Sequence, residues 1–499
     1  MVEKRFNLID EAWIPVAQKG LVSLRQIFSD KEITALGGNP VEKIAVLKLL
    51  LAIAQSAYTP KDEEDWKELG PEGMCNKVLN YLNEQYDAFW LYGDRPFLQK
   101  PEIEKAEKKN YGAVLPMVAT GNTTVLTQIH IEKPLNDAEK ALLLLQLMGF
   151  ALGGKKTDNS IVLSEGYIEK QKSSKPGPSV GNRGFLHSFI FGHSLIETVW
   201  INLFSEYDLE QIGMYPAGLG IAPWEKMPKG EYDEVAQQLK KSYMGRLIPL
   251  CRFVLLKEDQ IHYSEGIIHP GYKEYIVDPS VAFDLSSKNP KVIWADTQKK
   301  PWRQLPALLS FMGQSQVKYN CYQLKTIMPR VMNLELFVVW SGGMQVSNKA
   351  GEQYFSGNDD FVESEVQLSS SLFGEESQFY ANLNSEMEYM ENLSSLLWSR
   401  VRNYYATLKA DAKEFASQSV TLYWQFCERN FHDLVAACYD PTGEKARAMR
   451  RIFEKNAYKA FDLYCPNQTA RQLEAWASTR PRFWGNMRNK KKEAEVQNG

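Results

Sequence analysis

YANLNSEMEYMENLSSLLWSRVRNYYATLK, residues 380–409, is the stretch whose reading decides the fold. Its apolar side chains recur at Met390, Leu393, Leu397, Val401, Tyr404 and Leu408, in steps of three or four. A helix turns once every 3.6 residues, so this spacing lays one buried stripe along one helix face. Similar stripes follow over Phe415–Tyr439, Glu444–Tyr464 and, more weakly, Thr469–Asn489. Pro441-Thr442-Gly443 and Cys465-Pro466-Asn467 interrupt them. Four amphipathic helices joined by short turns predict an antiparallel four-helix bundle over 367–499.

Upstream the texture is different. FNLID, WIPVA and LVSL near the start are short apolar runs between turns, which read as strands. A helix opens at Asn39, with Pro40 at its first position, where proline's missing N–H has no partner to lose. Another opens at Asn136, with Glu139 placed to close a capping box. A third is expected from His187 to Phe204, and residues 247–300 return to strand-like pieces (IPLCRFVLL, EYIVD, KVIWA). Strands and helices in no regular βαβ order predict a mixed α+β unit over 1–366, and for the whole chain an α+β fold class.

Composition narrows the function classes. The chain has 499 residues, 44% hydrophobic and 24% charged, with 58 Lys plus Arg against 61 Asp plus Glu. A net charge of -3 excludes a protein coated in positive charge but leaves room for a local basic groove. Six dispersed cysteines without a C-x-x-C pair read as free thiols in a reducing cytoplasm. The greasiest runs, residues 44–54 and 141–152, fall short of the roughly 20 residues that span a bilayer. No membrane partner is expected.

The catalytic motifs all fail. Gly149 to Lys155 fits G-x-x-x-x-G-K, but Lys156 stands where a phosphate-binding loop needs Ser or Thr. Gly192-His193-Ser194 carries Ile196 where a serine-hydrolase elbow needs glycine. Asp359, Asp360 and Glu363 cluster without a further ligand set, and read as a solvated acidic loop or salt-bridge partners. No catalytic residue, metal ligand or cofactor site is assigned.

One stretch remains unexplained by folding. KSSKPGPSVGNRG, residues 172–184, holds three glycines and two prolines with one branched apolar side chain, between hydrophobic sequence on both sides. Taken with NLIDEAWIPV (7–16), SLRQIF (23–28), RPFLQK (95–100), GNRGFLHSFIFG (181–192), GGMQVSNKAGEQY (342–354) and CERNFHDLV (427–435), the chain resembles the CasA family. These are the large subunits of the type I-E CRISPR surveillance complex, Cascade. The resemblance covers nearly the whole chain and rests on the order and spacing of these segments.

The resemblance implies a non-enzymatic subunit that binds double-stranded target DNA, reads its PAM and helps open the duplex. It also implies contact with the crRNA 5′ handle, with other Cascade subunits and with a helicase-nuclease. In such systems the protein reads the PAM and base pairing reads the rest. The family's glycine-rich PAM loop falls on Ser173, Ser174, Lys175, Pro176 and Gly177. Small residues let backbone approach a narrow minor groove, and the neighbouring lysines meet phosphate. Lys175 and Pro176 stand where family members have glycine. The family's wedge glutamine falls on Asn348, flanked by Ser347 and Lys349, with Lys349 or Gln345 as candidates to complete the wedge. The handle loop falls on Val125, Thr127 and Gln128, and the minor-groove lysine on Lys273. Four other readings stay open: a solvent loop at 173–177, a plain turn at Asn348, a bundle scaffold that binds only proteins, and a cryptic hydrolase using Ser194 or the acidic cluster.

Overall fold

The computed structural model describes residues 3–106, 108–115, 134–152, 184–270, 276–284, 290–313, 318–349, 352–354, 359–374 and 377–482. These fall into two compact units: one within Met1–Phe311 and Val317–Val366, the other within Met312–Gln316 and Gln367–Gly499.

The first unit is organised around the Pro40–Ala57 helix. Asn39 accepts from the Glu42 N–H while Glu42 reaches back to the Asn39 N–H, and Pro40 sits at the first position. Ile44, Leu49, Leu50, Leu51 and Ile53 are fully buried, and Lys48 and Gln55 are buried among them, so the helix is enclosed on all sides. The Asp137–Gly149 helix, opened by the expected Asn136–Glu139 capping box, packs against it. Among the described residues no helix is long and apolar enough to cross a membrane.

The strands read near the start are present as Arg5–Asn7, Ile14–Val16 and Gly20–Val22. Three three-stranded sheets follow in this unit. One orders Lys108–Asn110, Gln260–Glu265 and Arg252–Leu256; a second orders Lys291–Val292, Ala282–Asp284 and Asn320–Cys321. The third orders Phe361–Ser369, Leu336–Met344 and His187–Phe191, and its last pair is antiparallel with Gly342 opposite His187 and Val338 opposite Phe191.

That third sheet corrects the sequence reading. The expected helix over His187–Phe204 is a strand, His187–Phe191, then a turn, then a helix over Leu195–Ile201. His187, Ser188, Phe189 and Ile190 are all buried, so both faces of the strand are covered and no period-2 alternation remains to distinguish it from a buried helix. The helix starts at Ser194, whose Oγ accepts from the Glu197 N–H.

The second unit is helical: Phe379–Thr407, Lys413–Glu428, Phe431–Cys438, Glu444–Tyr464 and Ala470–Thr479. The first, second and fourth of these pack on one another through the predicted stripe, with Leu393, Leu397, Val401 and Tyr404 fully buried. The helix expected over Phe415–Tyr439 is interrupted at Asn430, whose backbone turns out of the helical region and whose N–H bonds to the Cys427 carbonyl. Tyr389 donates to the Glu454 carboxylate and Arg450 forms a two-pronged pair with Glu386 at 2.7 Å, which satisfies the charges turned inward.

Candidate nucleic-acid interface

Two paired strands of the third sheet flank the candidate DNA-binding segments in the sequence. The 172–184 segment feeds into the His187–Phe191 strand, and the wedge segment leaves the Leu336–Met344 strand beside it. Gly184 is the first described residue after the loop. Its φ of +99° is one that side-chain-bearing residues rarely adopt, and a Cβ there would lie 2.8 Å from Val346 Cγ2 and 3.0 Å from the Trp294 ring. Gly184 therefore sits in contact with the base of the wedge segment. The Gly342-Gly343 pair has the same physical origin: a Cβ on Gly343 would lie 2.5 Å from the Phe185 carbonyl oxygen, so the two strands close only on glycine.

The wedge segment is a hairpin, not a turn. Ser347–Lys349 pairs antiparallel with Glu352–Tyr354, setting Asn348 opposite Gln353 and Lys349 opposite Glu352. Its base is clamped by Asp359, which is 5% exposed. The carboxylate accepts from the Ser347 N–H (3.1 Å), from Ser347 Oγ (3.1 Å) and from Gln345 Nε2 (3.3 Å). Gln345 is held from the other side as well, since its Oε1 accepts from the Thr297 N–H (2.7 Å) and Oγ1 (2.9 Å). Its backbone N–H bonds to the Asp360 carbonyl. Gln345 is thus held at the hairpin base by both ends of its side-chain amide.

The acidic cluster resolves into separate structural roles. Asp359 clamps the hairpin, Asp360 accepts from the Phe361 N–H, and Glu363 pairs with Lys43 at 2.7 Å while accepting from Trp340 Nε1. Among the described residues no group of three or more His, Cys, Asp or Glu is placed to hold a metal ion. Ser194 lies at a strand–helix turn, the context a nucleophile elbow needs, but its Oγ is engaged as a helix cap.

Two contributors to this region carried no sequence signal. Trp294 packs edge-on against Phe185 (4.7 Å between ring centres) and is still 42% exposed, beside Gly184 and Val346. Thr297 reaches the hairpin from the same segment. Neither has a local pattern; only pairing of the 293–295 backbone with 184–186 puts them there, through Ala295 N–H to the Gly184 carbonyl (2.8 Å) and Leu186 N–H to the Ile293 carbonyl (3.0 Å). Ser173, Ser174, Lys175, Pro176 and Gly177, Lys273, and Val125, Thr127 and Gln128 lie outside the described residues.

The fold is that of the CasA/Cse1 proteins. The crystal structure of CasA from Thermus thermophilus matches with a TM-score of 0.72 at 20% identity, over 95% of this chain and 98% of that one. A chain of a solved CRISPR RNA-guided surveillance complex matches with a TM-score of 0.71 at 15% identity, over 96% and 99%. The chain belongs to the family of CRISPR-associated protein Cse1, whose model matches residues 7–461. A curated relative, the CRISPR-associated protein CasA/Cse1 of Thermus thermophilus, is 27% identical over 336 residues, 62% of this chain and 61% of that protein's length.

Proposed function

We propose that this chain is the large, non-catalytic subunit of a Cascade-type RNA-guided surveillance complex and works in the cytoplasm. In this reading it recognises the PAM of double-stranded target DNA through the minor groove, with the Ser173–Gly177 loop against the groove floor and Lys273 beside it. The hairpin carrying Asn348 and Lys349 enters next to the PAM and holds the first base pair apart. The Val125–Gln128 loop meets the crRNA 5′ handle. The bundle contacts other Cascade subunits, and the opened complex recruits the helicase-nuclease. Family membership supports the reading.

The single observation that carries it is the contact of Gly184 with Val346. A loop that reads a groove and a hairpin that parts the adjacent pair must be held in one register, and here their roots touch. The clamp of Asp359 and Thr297 on Gln345 gives the hairpin a fixed base, as a side chain inserted against a stacked duplex requires.

Asn348→Ala, combined with Lys349→Ala, tests it in the assembled complex. Unstacking a base step costs a few kcal/mol, so R-loop formation on intact duplex is expected to slow by about tenfold or more. On a target already mismatched beside the PAM the variant approaches wild type. Lys349→Ala alone is expected to weaken binding to all DNA and to flatten the salt dependence by about one unit. An equal defect on paired and mismatched targets removes the wedge from the mechanism.

A further inference from the structure

Residues 293–297 carry a side chain that the proposed function does not use. Trp294 is bridged antiparallel to Phe185, with its neighbours Ile293 and Ala295 buried and its own indole turned outward. It is the most exposed tryptophan among the described residues. The buried cluster beneath, Phe185, Val277, Val281, Phe283 and Val292, does not include it. A single exposed apolar side chain signifies nothing by itself; what Trp294 touches does.

Three segments meet at this indole. A Cβ on Gly184 would lie 3.0 Å and 3.1 Å from two of its ring carbons and 2.8 Å from Val346 Cγ2, so the glycine is held between the indole and the base of the hairpin. The Gly184 carbonyl accepts from the Ala295 N–H at 2.8 Å, and a Cβ on Gly343 would lie 3.1 Å from Ala295 Cβ. Two residues further on, Thr297 donates to Gln345 Oε1 from its N–H (2.7 Å) and its Oγ1 (2.9 Å). One short strip therefore grips the root of the 172–184 segment with Trp294 and the root of the hairpin with Thr297.

We propose that Trp294 is a positioning residue for target opening, the backstop that makes hairpin insertion depend on how the 172–184 segment is seated against the duplex. The inference rests on the reading of those two segments given above and adds the part that joins them. Its mechanism is packing. Contacts this close leave no void to absorb a backbone shift, so a movement of Gly184 must displace either the indole or Val346. The indole is backed edge-on by Phe185, with 4.7 Å between ring centres, and Phe185 is itself anchored in the buried cluster. The side that yields is Val346, and the displacement passes to the hairpin. With alanine at 294, Gly184 moves into the space the ring has left and the push is lost. Phenylalanine still presents a flat ring to Gly184 and keeps most of it.

Assembled complexes carrying Trp294→Ala or Trp294→Phe test this on three duplexes. One is a matched target, the second the same target mismatched beside the PAM, and the third a PAM-bearing duplex not complementary to the guide. An edge-on aromatic pair, expressed as a rate, is worth about two- to tenfold, and Trp294→Ala is expected to slow R-loop formation on the matched target by that factor. Its rate on the mismatched target and its affinity for the non-complementary duplex stay at wild type. Trp294→Phe recovers most of the rate. In an Asp359→Ala background Trp294→Ala adds little, because both changes act through the same hairpin. Hydrogen exchange in the His187–Phe191 strand keeps its wild-type protection, which separates lost positioning from lost fold.

A wild-type rate for Trp294→Ala on the matched target overturns the inference. So does an equal loss on the mismatched target, which makes Trp294 a folding residue, and so does weaker binding of the non-complementary duplex, which makes the indole a direct DNA contact. The Asn348→Ala/Lys349→Ala variant keeps the two failures apart. A defect there confined to the matched target leaves the hairpin reading standing whatever Trp294 does, whereas an equal defect on both targets removes the hairpin and this inference with it.

Discussion

Asp278→Asn is expected to cost about 3–5 kcal/mol, the loss typical of breaking a buried ion pair from one side. Lys48 stands in the middle of the Pro40–Ala57 helix, 2% exposed, and its ammonium bonds to Asp278, itself 4% exposed, and to the Arg246 carbonyl at 3.0 Å. Asp278 also accepts from the Ser280 N–H (3.0 Å) and Oγ (2.6 Å), and Ser280 Oγ lies 2.8 Å from His187 Nδ1. This network therefore anchors the start of the His187–Phe191 strand, directly behind Gly184. Removing the carboxylate charge leaves an ammonium in an apolar helix with no counter-charge, and the polar groups around it are too few to replace one.

The pH dependence follows with a definite sign. Burial by itself pushes the Asp278 carboxyl up, but the Lys48 charge, the His187 ring and the bonds from Lys48 and Ser280 outweigh it and hold the group below its usual range. A carboxylate whose pKa is lowered on folding stabilises the protein above its unfolded value of about 3.9, and that share is lost as pH falls through the folded value. Amide hydrogen exchange in the Pro40–Ala57 helix reads this unit alone. Protection there is expected to drop by the full amount in Asp278→Asn at neutral pH, and to recover mostly in Lys48→Met/Asp278→Leu, which removes both charges. A loss below about 1 kcal/mol in the single variant would show that the pair is not what holds the helix to the sheet.

Asp359→Ala is expected to have the largest effect on target opening while leaving the rest of the first unit folded. The substitution deprives the Ser347 N–H, Ser347 Oγ and Gln345 Nε2 of their common acceptor. Hydrogen bonds to a charged group contribute about 1.5–3 kcal/mol each, so the base of the hairpin loses its orientation. By the same figure, R-loop formation on intact duplex should fall at least about tenfold, and a target with unpaired bases beside the PAM should restore it. Combined with Asn348→Ala the defect should not multiply, because both changes disable the same insertion. Asp359→Asn keeps an acceptor oxygen and should give an intermediate rate. A wild-type rate for Asp359→Ala on intact duplex would show that hairpin placement does not limit opening.

Much of the local structure is legible in the sequence because its causes are local. The Asn39 and Asn136 caps, the proline at the first helical position and the stripe through Leu393, Leu397 and Val401 act over three or four residues, and each appears where it is expected. The interruption at Asn430 leaves no such signal, because apolar spacing on either side of it stays in phase. The strand at His187–Phe191 reads as helix for a different reason: burial on both faces erases the alternation by which a strand declares itself. At the candidate interface, the resemblance singled out Asn348 and its neighbours as candidates, but not the secondary structure that holds them. A hairpin is decided by the pairing of Ser347 with Tyr354, and nothing in VSNKAG compels it.

By itself, the sequence determined the α+β class, the helical C-terminal region and the family, since these rest on composition, period and the order of short segments. The tertiary structure alone decided that Gly184 meets Val346, that Gln345 is spent at the base of a hairpin, and that Lys48 finds Asp278 across 230 residues of chain. The physical reason is one of range. A helix cap or an amphipathic stripe is stabilised by neighbours that the sequence places side by side. A buried charge or a glycine contact is stabilised by a partner that only the packed sheet brings within reach, and the residue type alone does not say which partner that is.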